Sequence, residues 1–302
     1  MSVRYRQFAA GEAETSGRLF AATFNHLLAQ RGLPPYVELS DPRAWAAAWQ
    51  RDRRSLFEHL TATGSASWLA EDGERAVGYA RAITRDGVAQ LTDYFVLPDA
   101  QGSGVGKGLL ERAFAGSRPG RRTVISTTDA AALARYMKLG LRAQCPILEV
   151  RRRPEPLPAP PGLEAEACAA DAATLALLNG IDREILGYER EIDHRWLIQD
   201  RHGFLYRRGG APIGYGYVGR WCGPFALRDP ADFPAVLAHA ETAMAGSGEA
   251  LLLMVPLANH AALDHLLRRG FHLETEFAMH FLSDGPVPRF ANYLFSMPGF
   301  FA

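Results

Sequence analysis

Two stretches of this chain correspond at a constant spacing, and a repeat of that length constrains the fold more than any local motif. "DAAALARYMKLGLR" begins at Asp129 and "NHAALDHLLRRGFH" at Asn259, so Ala132, Leu133 and Gly140 fall on Ala262, Leu263 and Gly270. Upstream, "AVGYARAI" from Ala76 and "PIGYGYVG" from Pro212 correspond in the same order, each alternating apolar residues as a strand does. Matches in one order along both halves predict a duplicated architecture, and 302 residues suffice for two ordinary domains, each with its own core.

Between the copies lies "RRRPEPLPAPPGLE", where Pro154, Pro156, Pro158, Pro160 and Pro161 remove backbone donors and favour an extended, semi-rigid conformation. This places a first domain at 1–152, a linker at 153–162 and a second domain at 163–302. The first half reads as a short strand near Val3, helices over Glu12 to Arg31 and Pro42 to Leu60, and strands at Ser67–Glu71, Ala76–Ile83 and Ala89–Val96. A helix from Gly104, a strand at Thr123–Thr127, a helix over Ala130–Leu139 and a last strand pair toward Val150 follow. The second half repeats the order through "GFLYRR", "IGYGYV", a helix around Phe233–Met244, "ALLLMV" and a helix from His260. The expected class is α/β: two tandem domains, each a mixed twisted sheet with helices on both faces.

The stretch "VLPDAQGSGVGKGLL" has a glycine at every second position from Gly102 to Gly108 before an apolar helical run. A triphosphate loop needs Gly, four residues, Gly-Lys and then Ser or Thr; Gln101 stands where the first glycine belongs and Gly108 replaces the hydroxyl. The dinucleotide fingerprint fails as well, because counting from Gly102 or Gly104 puts Lys107 or Leu109 at its last glycine. What fits is a strand ending at Val96, four residues, then Gln-x-x-Gly-x-Gly at Gln101, Gly104 and Gly106. This resembles the acyl-CoA signature of the GNAT superfamily of CoA-dependent N-acyltransferases. The pattern Asn-x-x-Ala-x-x-x-Tyr-x-x-x-Gly-Phe of that family maps, with two replacements, onto Asp129, Ala132, Tyr136, Gly140 and Leu141.

The resemblance implies direct transfer of an acetyl group from acetyl-CoA, as co-substrate and without a metal, to a primary amine. The main-chain groups of Gln101, Gly102, Ser103, Gly104, Val105, Gly106 and Lys107 would cradle the pyrophosphate at a helix N-terminus, where free N–H groups and the helix dipole favour an anion. Lys107 would add a charge. The strand ending at Val96 would splay from Thr123–Thr127, with the pantetheine arm on the main chain of Val96 and Leu97. Asp129 and Ala132 would complete the cofactor contacts, although Asp129, replacing the usual asparagine, accepts hydrogen bonds and does not donate them. Tyr136 would protonate the departing thiolate as general acid; its bland reading is a tyrosine packing a helix on the sheet. Gln90 occupies the strand position where some relatives carry a catalytic glutamate, and it cannot take a proton at neutral pH. Asp93 on the same strand is the substitute base, acting through water; alternatively it is a solvated or capping carboxylate, and an amine already deprotonated on binding would need no base.

The second copy offers "GPFALRDPADFPAVLAHAE" where the glycine loop belongs, with Pro224, Pro230 and Pro234 in a segment that would need free donors, and Leu266 at the position of Tyr136. It reads as a degenerate GNAT-like copy, leaving the chemistry to the first half. "DREILGYEREIDHRW" from Asp182 reads as a solvated helix face, or as carboxylates for a cationic amine, or as a domain interface. Without Cys or a second His beside it, His194 makes a poor metal ligand. The tail "PRFANYLFSMPGFFA", which ends in Phe300 and Phe301, is too apolar to hang in water and is expected to dock on this chain or on a partner in a homodimer.

Thirty-three basic against thirty-three acidic residues argue against a broad surface for nucleic acid or an anionic membrane. Cys145, Cys168 and Cys222 are too few and too dispersed for a disulfide framework. The N-terminus lacks a signal peptide's apolar core and no stretch nears the ~20 apolar residues of a membrane span, so a cytoplasmic protein is expected. A non-catalytic acyl-CoA-binding sensor or scaffold, and an acyltransferase using a longer acyl-CoA, are the competing readings. The acceptor, a small-molecule or peptide amine, has no motif.

Overall fold

The computed structural model describes residues 3–9 and 11–299. They form two compact units, Met1–Thr84 with Ala89–Arg118, and Arg85–Val88 with Pro119–Ala302.

The first unit contains β1 (Val3–Gln7), α1 (Ala13–Gln30), α2 (Pro42–Ala48), α3 (Arg54–Thr63), β2 (Ala66–Asp72), β3 (Arg75–Arg85), β4 (Val88–Val96) and α4 (Val105–Ala113), except for Arg85–Val88, which are grouped with the second. Its strands run in the order β1-β2-β3-β4, antiparallel from Tyr5↔Ala70 to Trp68↔Ala80. Asp41 begins α2 by accepting from the N–H groups of Arg43 and Ala44 at 2.8 and 3.3 Å, and Pro42 fits the first turn, where no donor is needed. The expected single helix from Pro42 is interrupted by a π-helical turn, Trp49–Arg53. The wider turn keeps Trp45 and Trp49 stacked at 5.7 Å and both buried. Opposite them α1 has Gly17, where a Cβ would collide with the Trp49 ring.

The second unit contains β5 (Arg122–Thr127), α5 (Ala130–Lys138), β6 (Arg142–Arg152), β7 (Glu164–Ala167), α6 (Ala172–Ile185), α7 (Glu191–Asp200), β8 (His202–Arg208), β9 (Ala211–Val218), β10 (Phe225–Leu227), α8 (Phe233–Met244), β11 (Leu251–Pro256), α9 (His260–Arg268), β12 (His272–Ser283) and β13 (Tyr293–Leu294). Here the sequence expectation needs correcting. The stretch toward Val150 is one long strand, β6, and not a pair; its neighbours are β12 and β11, in the order β5-β12-β6-β11. β12, the last long strand of the second copy, thus lies between β5 and β6 of the first, while β6 pairs with β11 of the second. Because the closing strands are exchanged, the proline-rich stretch separates two sequence copies without dividing two compact units, and the boundary falls at Arg118/Pro119. That stretch is itself fastened to α8, with the Leu157 N–H donating to Thr242 Oγ1 at 3.0 Å. A second set of strands runs β13-β10-β9-β8-β7.

The repeat has a local cause. Asp129 and Asn259 each accept the N–H three residues on, from Ala132 at 2.7 Å and Ala262 at 3.0 Å, and so begin α5 and α9. Gly140 and Gly270 end the same helices at φ +95° and +77°, where Leu141 and Phe271 donate back to Tyr136 and Leu266. Gly78 and Gly214 serve as close-approach points: a Cβ on Gly78 would lie 2.8 Å from the Phe95 carbonyl, and one on Gly214 would strike that of Ala226.

Candidate active site

The glycine loop leaves β4 through a 3-10 turn, Pro98–Ala100, and enters α4 at Gly104, whose φ of +92° is a left-handed conformation open to glycine. Gly102, at φ +77°, makes the same kind of turn. The other two glycines serve packing: a Cβ on Gly106 would collide with the Tyr94 hydroxyl, and one on Gly108 with that of Tyr5. Alternate glycines therefore divide between turning the chain and seating α4 on the sheet. Along the loop's exit, the Gly108 N–H donates to the Gly104 carbonyl at 3.1 Å, while a helix's opening N–H groups have no acceptor within the helix. Gln101 to Gly104 are exposed, so the positive end of α4 faces solvent. The Lys107 ammonium is also exposed, 3.8 Å from Glu111.

Two main-chain groups at the end of β4 are already engaged. Leu97 N–H donates to the Val77 carbonyl at 2.8 Å, toward β3, and the Val96 carbonyl accepts from Gln101 Nε2 at 3.0 Å. Gln101 thus braces the loop against the strand that precedes it. Alternation along a strand turns the Val96 N–H to the edge opposite β3.

Asp93 is neither solvated nor a cap. It is 2% exposed and accepts from the Tyr79 hydroxyl at 3.0 Å and from Thr92 Oγ1 at 2.7 Å. Arg81 Nε lies 3.3 Å from its second oxygen, with both side chains fully buried. Arg81 in turn donates to the Phe57 carbonyl, Thr61 Oγ1 and Ser16 Oγ, each at 3.0 Å, among the rings of Phe8, Phe57 and Tyr79. Burial, with the Asp93 charge adding to it, holds the Tyr79 hydroxyl well above the usual tyrosine range, so it remains a donor. A carboxylate held in this way has the contacts of a counter-ion to Arg81, and its surroundings are of neither the solvated nor the capping kind expected as the alternative to a base. The sequence signal was present: Arg81 and Asp93 are opposite charges inside adjacent strand runs, and a charge buried in a strand needs a partner.

In the second unit, Asp129 and Tyr136 lie on α5. Asp129 is exposed and spends one oxygen on the Ala132 cap. Tyr136 is 4% exposed and is the buried residue of that helix. Among the described residues no group of His, Cys, Asp and Glu side chains is arranged to hold a metal, and no helix is long and apolar enough to cross a membrane.

The charged run from Asp182 departs from a solvated face. Arg183, Glu184, Glu191 and Arg195 are exposed, but Asp182, Arg190, Asp193 and His194 are buried. Arg190 Nε donates to Asp182 Oδ2 at 2.7 Å, and the Tyr215 hydroxyl donates to the other oxygen. The His194 ring joins Asp182 Oδ2 to the Tyr217 hydroxyl, 2.8 Å on each side. Burial alone would raise Asp182, but Arg190 and His194 outweigh it and bring the carboxyl down to about 2. Asp193 forms a two-pronged pair with Arg85 at 2.7 and 2.8 Å. Phe300 and Phe301 lie outside the described residues.

Residues 33–141 match the family described as the acetyltransferase (GNAT) family. An acetyltransferase candidate of Pyrococcus horikoshii shares the fold at a TM-score of 0.73 and 15% identity, over 96% of this chain and 92% of that one. A GCN5-related N-acetyltransferase of Sphaerobacter thermophilus is similar at a TM-score of 0.59 and 17% identity, over 96% and 98% of the two chains. A tandem GNAT protein of the clavulanic acid biosynthesis pathway is similar at 0.55 and 15%, over 95% and 100%. No curated protein sequence matches the chain.

Proposed function

We propose that the first half of this chain, whose residues 33–141 match the GNAT acetyltransferase family and whose fold is similar to that of a tandem GNAT protein, transfers an acetyl group from acetyl-CoA to the primary amine of a small molecule or peptide. Acyl-CoA-dependent N-acyl transfer is the general activity of the family; the acetyl donor and the kind of amine are our reading. The observation that carries it is the loop of Gln101 to Lys107: an exposed turn with left-handed Gly102 and Gly104 presents the N-terminus of α4 to an anion. Its residues fit a pyrophosphate in the manner the family signature implies.

In this reading the amine nitrogen attacks the thioester carbonyl, the carbon–sulfur bond breaks, and the thiolate takes a proton from Tyr136. With Asp93 committed to Arg81, Tyr79 and Thr92, the amine is consumed as its free base. A thiol-release screen of acetyl-, propionyl- and longer acyl-CoA against aminoglycosides, polyamines, amino acids and peptides tests the proposal. Release with acetyl-CoA and at least one amine supports it. Calorimetric CoA binding without release for any amine would favour a non-catalytic acyl-CoA-binding protein instead, and absence of CoA binding would remove the reading altogether.

A further inference from the structure

The second copy reproduces the elements that the family uses around its cofactor: β10 follows β9 as β4 follows β3, and β11 precedes α9 as β5 precedes α5. Between β10 and β11 lies the chain's own C-terminal segment. Phe225 pairs with Leu294 and Ala226 with Tyr293 on the β10 side, and the Phe295 N–H donates to the Met254 carbonyl of β11 at 3.0 Å. Tyr293, Leu294, Phe295 and Ser296 are all 0% exposed.

Both ends of this segment are fastened. Asn292 Nδ2 donates to the Leu227 and Arg228 carbonyls at 2.8 and 2.9 Å. Buried Arg201 donates to Ser296 Oγ at 3.2 Å and to the Met297 carbonyl at 2.9 Å, and the Met297 N–H reaches the Cys222 carbonyl at 2.8 Å. Asn259, which keeps the family's asparagine, uses Oδ1 to cap α9 and donates Nδ2 to the Tyr293 carbonyl at 3.2 Å. A pantetheine arm is chemically two amides on an aliphatic chain, and an extended peptide offers the same donors and acceptors to a strand edge.

We infer that residues 293–296 occupy the pantetheine slot of the second copy, so that the protein binds one acyl-CoA per chain. The inference rests on the proposed function for the meaning of the slot. The loss of the glycine loop before α8 and the filled slot are independent reasons for the same outcome: no pyrophosphate cradle, and no room for the arm.

The test is calorimetric titration of the full chain with coenzyme A, combined with hydrogen exchange of free and CoA-saturated protein. One equivalent per chain is expected, with CoA-dependent protection over residues 97–108 and unchanged exchange over 222–227, 251–256 and 293–297. Two equivalents, or a single equivalent that alters exchange in the last three segments, would overturn the inference while leaving acyl-CoA binding intact. Absence of any binding would overturn the inference together with the proposed function.

Discussion

Asp93→Asn separates a structural counter-ion from a catalytic base. The substitution keeps the shape and one carbonyl oxygen, which can still accept from Tyr79. It turns an amide NH2 toward Thr92 and Arg81 and leaves the Arg81 guanidinium, 0% exposed, without an opposing charge. Breaking one side of a buried pair costs about 3–5 kcal/mol, because the remaining charge is neither hydrated nor paired. The donors of Arg81 to the Phe57 carbonyl, Thr61 and Ser16 survive, which places the cost nearer the lower figure. At roughly 2–4 °C per kcal/mol for a large domain, the melting temperature should fall on the order of 10 °C. The assay pairs a thermal melt with the pH dependence of kcat/KM well below that melt. The folded variant should keep the wild-type pH profile, since Asp93 takes no proton from substrate. A variant that melts like wild type yet loses its activity on the alkaline limb would refute this and restore Asp93 as base.

Four further outcomes follow from the same geometry. Tyr136→Phe should lower kcat by roughly 10²-fold or more, with CoA affinity measured by calorimetry unchanged; a wild-type rate across pH would remove its role as acid. Gly104→Val forces a β-branched residue to φ +92°, a strain of roughly 1–3 kcal/mol that the loop relieves by moving, so CoA affinity should fall tenfold or more. Glu149 lies opposite Glu274 in the β6–β12 ladder, and burial together with that charge pushes it up to about 7 despite Arg151. Between its ordinary 4.5 and about 7 the folded chain holds a proton that the unfolded chain has lost, so this group's stabilisation is full below 4.5 and lost as pH rises through 7. Its loss amounts to at most about 3 kcal/mol, and Glu149→Gln should raise the melting temperature at pH 8 and leave it nearly unchanged at pH 4.5. Finally, a protease site placed near Ala159 should yield a nicked protein whose pieces co-elute, because β6 and β12 are paired across the cut; separation of the pieces on native size exclusion would contradict the exchange.

The parts legible in the sequence were those whose cause is local. Asp129 with Gly140, and Asn259 with Gly270, matched because each pair begins and ends a helix. The glycine loop was legible because a left-handed turn at Gly104 has few alternatives. The strand exchange was not, since β6 and β12 hold equivalent places in the two copies and their apolar alternation does not specify which copy supplies the neighbour. Nor was the burial of Asp182, Arg190 and His194: their partners Tyr215 and Tyr217 lie on β9, and Arg85, the partner of Asp193, is 108 residues away. Charge is visible in a sequence, while the long-range partner that permits its burial is not.

The repeated Gly-Tyr step carries the argument on Asp93 further. Tyr79 on β3 and Tyr215 on β9 occupy corresponding positions, and each donates its hydroxyl to a buried aspartate that also faces an arginine: Asp93 with Arg81, and Asp182 with Arg190. The aspartates come from different elements, β4 in one half and α6 in the other, and the arginines from β3 and from the segment before α7. What the two halves hold in common is therefore the group of tyrosine, carboxylate and guanidinium, and not the position of the acid. The second half keeps that group although it lacks the glycine loop and residues 293–296 lie between β10 and β11, so on the filled-slot inference the group is maintained where no cofactor binds. A feature that persists without the chemistry belongs to the fold, and the pH dependence of the first half should accordingly follow the ionisation of the acceptor amine: exchanging the acceptor for one of lower amine pKa should shift the rising limb of kcat/KM downward by the same interval, whereas a limb fixed across acceptors would point to a protein base outside the Asp93–Arg81 pair.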